Sequence, residues 1–220
     1  MTVSQLITNE HSGYEYQNSE ASCAHGYLLP TVFREISALA RGKSLKILDL
    51  GCGNGYVAAQ IAALGHTVSG VDVSSDGITI ARASFPRVLY HADSLYDDDL
   101  AEKIKVPVDC VISLEVVEHL FFPRKLFEQS HRLLVNGGSL IISTPYHGYL
   151  KNLALSVTNG WDRHFGVDWD GGHIKFFSEV TLARMASSAC FNDIRFLKVG
   201  RFPGLWKSMI MIATKSGEEK

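Results

Sequence analysis

An apolar segment that runs directly into a glycine-rich turn constrains the fold of this chain more than any other feature. The segment ILDLGCGNGY, residues 47–56, places Gly51, Gly53 and Gly55 at alternate positions. Glycines after a strand let the backbone turn sharply and approach a ligand where any Cβ atom would collide. The next residues, VAAQIAALG, have helical spacing and stop at Gly65, a predicted C-cap. The pattern predicts a nucleotide-type site, with an ordinary tight turn as the alternative.

Acidic residues end the next two predicted strands. HTVSGVDVS contains Asp72, about 20 positions after the glycines, where a carboxylate can accept both hydrogen bonds from a ribose diol. RVLYHAD ends in Asp93, which can accept a hydrogen bond from the exocyclic amine of adenine. A solvent-facing turn is the alternative for Asp72.

The alternation of strands and helices continues to Pro145 through the predicted strands VDCVISL and SLIISTP. Such alternation predicts a parallel α/β sheet with ligand groups at the carboxyl ends of the strands. The glycines, Asp72, Asp93 and Glu115 all fall at those ends. Their shared position at the carboxyl ends of the strands is the strongest argument from the residues for a binding site at that edge of the sheet.

Composition limits the organisation and the class of partner. The chain has 220 residues, 46% of them hydrophobic, and we expect a single domain at residues 25–220 preceded by an arm or lid at residues 1–24. No run reaches the length of a membrane span and the start lacks the plan of a secretion signal, so we expect a cytoplasmic protein. A formal net charge of −2 without a basic cluster disfavours nucleic acid and favours a small-molecule acceptor.

The segment EVVEH follows the fourth predicted strand and contains Glu115, Glu118 and His119. If a helical turn starts as the strand ends, this spacing brings both carboxylates and the imidazole onto one side. Two acids and a neutral histidine form a plausible site for a divalent cation. An acidic helix N-terminus stabilised by the helix dipole is the alternative.

Residues 146–175 form an insertion that is too long for a plain connection between a strand and a helix. Loops of this length in compact domains are usually lids or binding loops. The insertion mixes aromatic rings with polar groups, which suits a substrate pocket. Its His147 is a candidate general base, with a solvated loop histidine as the alternative. Ser178 is predicted to cap the helix that follows.

Together, DLGCGNG, Asp72, Asp93, the acidic turn and LLVNGGSLIISTP resemble the class I S-adenosylmethionine-dependent methyltransferases. The resemblance implies a seven-stranded, mostly parallel, Rossmann-like α/β sheet with helices on both faces. It also implies an antiparallel C-terminal hairpin, which FNDIRFLKVG and LWKSMIMIATK can supply. Dinucleotide-binding dehydrogenases are the competing family, but their G-x-G-x-x-G fingerprint does not fit the glycine spacing here.

The same resemblance implies a binding site for S-adenosylmethionine as the methyl donor. Its predicted residues are Asp49, Gly51, Gly53 and Gly55 on the methionine and ribose side, Asp72 at the ribose, Asp93 and Ser94 at the adenine, and Glu115.

The pattern E-x-x-E-H, followed by a histidine in a Gly-x-His segment, resembles two groups of methyltransferases. These are the UbiG-type O-methyltransferases of quinone biosynthesis and the small-RNA 3′-terminal 2′-O-methyltransferases. Both resemblances imply a divalent metal, Mg or Zn, held by two glutamates and two histidines. Transferred to this chain, the ligands are Glu115, Glu118, His119 and His173, with His164 as a rival for the fourth position.

We therefore predict a divalent-metal-assisted O-methyltransferase that acts on a small molecule with vicinal oxygens, such as a catechol, a quinol or a sugar diol. Coordination lowers the pKa of a hydroxyl and fixes it for an in-line displacement. Glu118, His119 and His147 are the predicted catalytic residues. Two alternatives stay open, an RNA 3′-terminal ribose methyltransferase and a noncatalytic scaffold that binds the donor.

Overall fold

The computed structural model describes residues 15–104, 107–165, 168 and 172–217. Its strands are β1 Lys46–Leu50, β2 Thr67–Asp72, β3 Leu89–Ala92, β4 Val108–Leu114, β5 Leu134–Pro145, β6 Phe191–Val199 and β7 Ser208–Lys215. Its α-helices are α1 His25–Ala40, α2 Tyr56–Ala63, α3 Ser75–Ser84, α4 Leu100–Ile104, α5 Arg124–Leu133, α6 Tyr149–Val157, α7 Trp161–Phe165 and α8 Glu179–Ser188. A 3₁₀ turn covers Val117–His119.

The strands form one sheet in the order β3-β2-β1-β4-β5-β7-β6. Strands β1 to β5 run parallel to their neighbours among themselves, whereas β7 is antiparallel to both β5 and β6. The predicted seven-stranded sheet and its C-terminal hairpin are therefore confirmed. The strand order reverses between β1 and β4, and ligands of such sheets bind in the crevice outside the carboxyl ends at this point.

Apolar side chains cover both faces of the sheet. The central strand β1 is buried on both sides, and its Ile47, Leu48 and Leu50 are at most 1% exposed. One core packs α1, α2 and α3 against the sheet, around residues such as Ile36 and Ile61. The other core packs α4, α5 and α8 against the opposite face. Helices on both faces are thus confirmed.

The insertion contains two short helices, α6 and α7, that the sequence pattern does not predict. Helix α6 has no buried residue, so its apolar side chains do not mark one core-facing stripe. The end of the insertion is fixed to the acidic turn, because the backbone N–H groups of Ile174 and Lys175 both donate to the Glu118 carbonyl at 3.0 Å. Ser178 then caps α8 as predicted, in a capping box with Thr181.

Helices of the described residues are all too short or too polar to cross a membrane.

Candidate donor and metal site

A cavity of about 720 Å³ opens at the carboxyl ends of β1, β2 and β4, beside the reversal of strand order. This volume lies in the range of small-molecule sites. Gly55 lies behind the cavity wall as the N-cap of α2, where the Tyr90 hydroxyl donates to its carbonyl oxygen at 3.2 Å. The other predicted donor residues line the cavity: Asp49, Gly51, Gly53, Asp72, Asp93, Ser94 and Glu115.

The glycine loop, residues 51–55, requires glycine for steric reasons, as Gly51 and Gly53 at the cavity show. Gly51 has a φ of 84°, and a Cβ atom there would collide with the Val116 side chain. Gly53 has a φ of 50°, and a Cβ atom there would collide with the phenol of Tyr16. Residues with a Cβ atom rarely adopt this left-handed conformation. The absence of a Cβ atom therefore lets Val116 pack against Gly51 and Tyr16 pack against Gly53.

Asp72 fixes the glycine loop to the end of β2. Its Oδ2 atom accepts a hydrogen bond from the Gly53 N–H at 2.7 Å, and its Oδ1 atom accepts one from the Ser74 N–H at 2.8 Å. Burial raises the pKa of Asp72, although both hydrogen bonds oppose the rise. A carboxylate can accept about four hydrogen bonds, so Asp72 keeps acceptor capacity beyond its backbone partners.

The other two aspartates near the donor region differ in their partners. Asp49 is buried, and its Oδ2 atom has no hydrogen-bond partner among the described residues. Burial, followed by the charge of Asp72, raises the pKa of Asp49 to about 8. Asp93 instead forms an ion pair with Lys103 of α4, with 2.8 Å between Oδ1 and Nζ. Sequence reasoning missed Lys103, because a charged surface helix carries no signal for the strand end that it meets.

Residues 15–24, called the strap below, follow the rim of the cavity without helix or strand. The Asn54 side chain holds the strap, because its Nδ2 atom donates to the carbonyls of Asn18 and Glu20, each at 2.9 Å. Residues 1–14 of the predicted arm, including Tyr14, lie outside the described residues. Asn54 was not predicted as a site residue, since its position in the glycine loop was its only signal.

Tyr16 is the strap residue in closest contact with the glycine loop. Its backbone N–H donates to Asp76 Oδ2 at 3.0 Å. Its ring lies against the α-carbons of both Gly53 and Gly77. The tyrosine thus spans the start of α3 and the glycine loop, the two elements that flank Asp72.

The acidic turn does not form the single helical turn that the spacing predicts. Glu115 has a φ of 55° and lies before the 3₁₀ turn, which begins at Val117. Its carboxylate accepts hydrogen bonds from the Ser143 hydroxyl at 2.8 Å and the Ser208 hydroxyl at 3.3 Å. The prediction of one turn through Glu115 is therefore wrong, because a left-handed residue and two serines hold this carboxylate apart.

Glu118, His119 and His173 come together as a group that can hold a metal ion. One ligand atom from each residue lies within 4.8 Å of the others, and the two imidazole centroids are 4.9 Å apart. Both histidines line the cavity, and Glu118 lies behind them with 1% of its surface exposed. His173 rather than the rival His164 occupies this place.

The electrostatics of this group suit a cation. Burial raises the pKa of Glu118 well above its usual range, and the charge of Glu115 adds to the rise. The Thr144 hydroxyl opposes the rise, yet neither carboxylate oxygen of Glu118 completes a hydrogen bond within the described part of the chain. Burial, followed by the charge of His119, lowers the pKa of His173 to about 4, so this imidazole is neutral at pH 7. An uncompensated carboxylate and a neutral imidazole are ligands that a divalent cation accepts.

His147 is absent from the cavity lining formed by the described residues. It belongs to an aromatic group within the insertion, with ring centroids 5.1 Å from Phe176 and 6.0 Å from His164. Burial lowers its pKa to about 4. The structure therefore does not bring His147 together with the Glu118 group.

A family model described as "Methyltransferase domain" matches residues 24–195. The chain belongs to the class I S-adenosylmethionine-dependent methyltransferases. S-adenosylmethionine is accordingly the methyl donor of this methyltransferase.

Two curated relatives are ubiquinone biosynthesis O-methyltransferases. The protein of Thiobacillus denitrificans is 31% identical over 180 residues, which cover 78% of this methyltransferase and 75% of that protein. The protein of Maricaulis maris is 35% identical over 129 residues, which cover 58% of this chain and 48% of that protein. The match thus spans about half the length of the second relative.

A solved structure confirms the fold of the methyltransferase. It is a magnesium protoporphyrin IX methyltransferase from Synechocystis with bound S-adenosylhomocysteine, with a TM-score of 0.65 and 17% identity. The alignment covers 97% of this chain and 95% of that chain.

Proposed function

We propose that this methyltransferase transfers its methyl group to a hydroxyl of a small molecule with vicinal oxygens, with the help of a divalent cation. Catechols, quinols and sugar diols have such oxygens. One observation carries the proposal: the buried Glu118 carboxylate has no hydrogen-bond partner among the described residues and lies beside the imidazoles of His119 and His173. The names of the curated relatives support oxygen as the methylated atom.

For the donor, we assign Asp72 to the ribose hydroxyls, because its carboxylate lines the cavity and can accept more hydrogen bonds than its backbone partners supply. Asp93 and Ser94 are assigned to the adenine. Asp49 and the glycine loop are assigned to the methionine and ribose side, where the unpartnered Asp49 Oδ2 can accept a hydrogen bond. Residues 25–220 then act as one methyltransferase domain, with the strap over the donor and the insertion on the acceptor side.

For the acceptor, Glu118, His119 and His173 would hold the cation, with Glu115 as the fourth candidate. A divalent cation, when bound, lowers the pKa of an acceptor hydroxyl and neutralises its developing charge. Ser143 and Ser208 orient the Glu115 carboxylate. Two imidazoles favour Zn over Mg, which prefers oxygen ligands. His147 remains the predicted general base, but it lies outside the cavity lining of the described residues and burial lowers its pKa to about 4, so it would have to approach the acceptor and would be a weak base.

The variant Glu118→Gln tests the cation site, because it keeps the shape of the side chain and removes its charge. Calorimetric titration of Zn or Mg into protein saturated with S-adenosylhomocysteine is expected to show affinity at least about tenfold weaker than in the parent. Methylation of a catechol, followed by mass spectrometry, is expected to fall in parallel. Glu128→Gln, on the exposed side of α5, is the matched control.

Three outcomes contradict the proposal. Full catechol methylation by Glu118→Gln after treatment with a chelator would remove the cation from the reaction. Tight donor binding without transfer to any diol would favour the noncatalytic scaffold. Transfer to the terminal ribose of a short RNA, without transfer to small diols, would favour the RNA methyltransferase.

A further inference from the structure

Three cationic side chains lie on the acceptor side of the fold: Lys207 lines the cavity, whereas Lys151 and Arg201 lie outside its lining. They come from two segments, Lys151 from α6 and both Arg201 and Lys207 from the connection between β6 and β7. None of the three forms an ion pair with another described residue. Lys198, which is nearby on β6, differs from them because it pairs with Glu179 at 2.8 Å.

Lys207 lies closest to the reaction site. It lines the cavity, and the next residue is Ser208, which donates to the Glu115 carboxylate. Its Nζ atom lies 5.0 Å from the centre of the Tyr27 ring, and the Tyr27 hydroxyl is 3.1 Å from Ser208 Oγ. The positive charge of Lys207 is therefore held at the wall of the cavity by an aromatic face rather than by an acid.

Lys151 is half-buried, and its ammonium group donates a hydrogen bond to the Tyr146 carbonyl at 3.2 Å. Its pKa is lowered by burial and then by the charge of Arg201, whereas Glu115 raises it. Lys151 therefore lies within electrostatic range of a second cation and of the acidic turn. The Glu115 carboxylate, however, is already held by two serine hydroxyls. A half-buried ammonium group beside a like charge is unfavourable unless an anion joins it.

Arg201 occupies a position where the backbone does not favour arginine. Its φ is 54°, in the left-handed region where glycine or asparagine is the usual residue. The turn that carries it contacts α6, since a Cβ atom at Gly204 would lie 3.5 Å from Leu150 Cδ1. This contact keeps the turn next to the helix of Lys151. The exposed guanidinium thus lies near Lys151, on a backbone conformation that arginine rarely adopts.

We propose that the acceptor carries an anionic group, a carboxylate or a phosphate monoester, that binds between Lys151, Arg201 and Lys207 while its vicinal oxygens face the acidic turn. This inference rests on the proposed function for the position of the diol, and adds a charge requirement to it. One cation at the cavity wall and two just outside it match one anionic group at the cavity edge rather than the extended backbone of a nucleic acid.

Binding of matched probes to protein saturated with S-adenosylhomocysteine and Zn tests the proposal without any methyl transfer. One pair is 3,4-dihydroxybenzoate and its uncharged methyl ester, and the other is ribose 5-phosphate and ribose. In at least one pair, the anionic member is expected to bind about tenfold tighter or more, the effect of one charge-assisted hydrogen bond. The pair that shows the preference tells a carboxylate from a phosphate.

The preference for the anionic probe is expected to disappear in Lys151→Met and in Arg201→Asn. Asparagine is chosen at position 201 because it tolerates the left-handed backbone there. Lys151→Arg restores the charge and is expected to restore the preference. Lys43→Met is the control, since this exposed lysine precedes β1 at the opposite edge of the sheet. Equal binding of charged and uncharged probes, or a preference that survives both variants, overturns the inference. Tighter binding of a short RNA, with a salt dependence of several charges, overturns it as well.

The two proposals can fail separately. An anion preference without methylation of any diol leaves the anion site in place and removes the O-methyltransferase assignment. Methylation of the uncharged diols without a preference for anionic probes supports the O-methyltransferase assignment and removes the anion site.

Discussion

Asp72 has two tasks that a single substitution can separate. Its carboxylate holds the Gly53 and Ser74 N–H groups, and it is assigned to the ribose of the donor. In Asp72→Asn, one oxygen becomes an NH₂ group that faces a backbone N–H. We expect the affinity for S-adenosylhomocysteine to fall by roughly 2 kcal/mol, about thirtyfold, as measured by calorimetry.

The matched control for this change is Asp98→Asn, because Asp98 is 88% exposed and pairs with Lys125 at the surface. Its donor affinity is expected to equal that of the parent. Equal affinity in Asp72→Asn would show that Asp72 serves the loop alone and does not contact the donor.

Single residues of the site could be predicted where their signal is local. Gly51 and Gly53 follow a strand directly, and both have the positive φ that the pattern requires. The position of Glu115 could not be predicted in this way. Its carboxylate is held by Ser208, 93 positions later in the chain, and its own φ interrupts the helical spacing. Spacing along a chain describes neighbours only while the backbone stays regular.

The strap is the element whose behaviour is most open to test. It has no strand or helix of its own, and the Asn54 side chain donates two of the hydrogen bonds that join it to the rest of the protein. Asn54→Asp removes both donors but keeps the oxygen that accepts from the Tyr56 N–H. We expect S-adenosylhomocysteine to dissociate about thirtyfold faster, because the two lost hydrogen bonds contribute about 1 kcal/mol each and the new charge repels two carbonyls.

Stopped-flow displacement of bound S-adenosylhomocysteine measures this rate. Asn192→Asp, on an exposed position of β6, makes the same chemical change away from the site and serves as the control. An unchanged rate in Asn54→Asp would mean that the strap does not limit release of the product.

Strands and helices could be predicted from the sequence where burial produces a regular pattern of apolar residues. Strand β4 matches the apolar run VDCVISL at both ends. The strap and helix α6 lack this signal, since the strap is polar and α6 buries none of its residues. Their positions depend on contacts such as Asn54 with Asn18, which join two polar residues of unrelated segments.

Buried carboxyl groups without hydrogen-bond partners lie on both sides of the cavity in the described part of the chain. Asp49 lies in the donor region and Glu118 in the acceptor region, and both have carboxylate oxygens without a hydrogen-bond partner among the described residues. Such groups lower the stability of the empty protein unless they are protonated or bound. The strand order explains their proximity, because β1 and β4 are neighbours at the reversal of the sheet. Alternating strands and helices predict that edge, but not which carboxylates remain without partners there.

This arrangement predicts how stability depends on pH. The pKa of Asp49 is about 8 in the folded protein, against an ordinary value of 3.8. Between these values the folded state holds a proton that the unfolded state has lost, so the free energy of unfolding falls as pH rises. One such group contributes a slope of up to about 1.4 kcal/mol per pH unit, and this contribution ends above the folded pKa.

Asp49→Asn removes this titration, so the variant is expected to gain stability relative to the parent as pH rises from 5 to 8. Urea denaturation at a series of pH values measures the difference. Glu115 and Glu118 also have raised pKa values, but both proteins contain them, and comparison of parent and variant isolates Asp49. Parallel pH profiles for the two proteins would contradict the prediction, since they would mean that Asp49 has the same pKa in the folded and unfolded states.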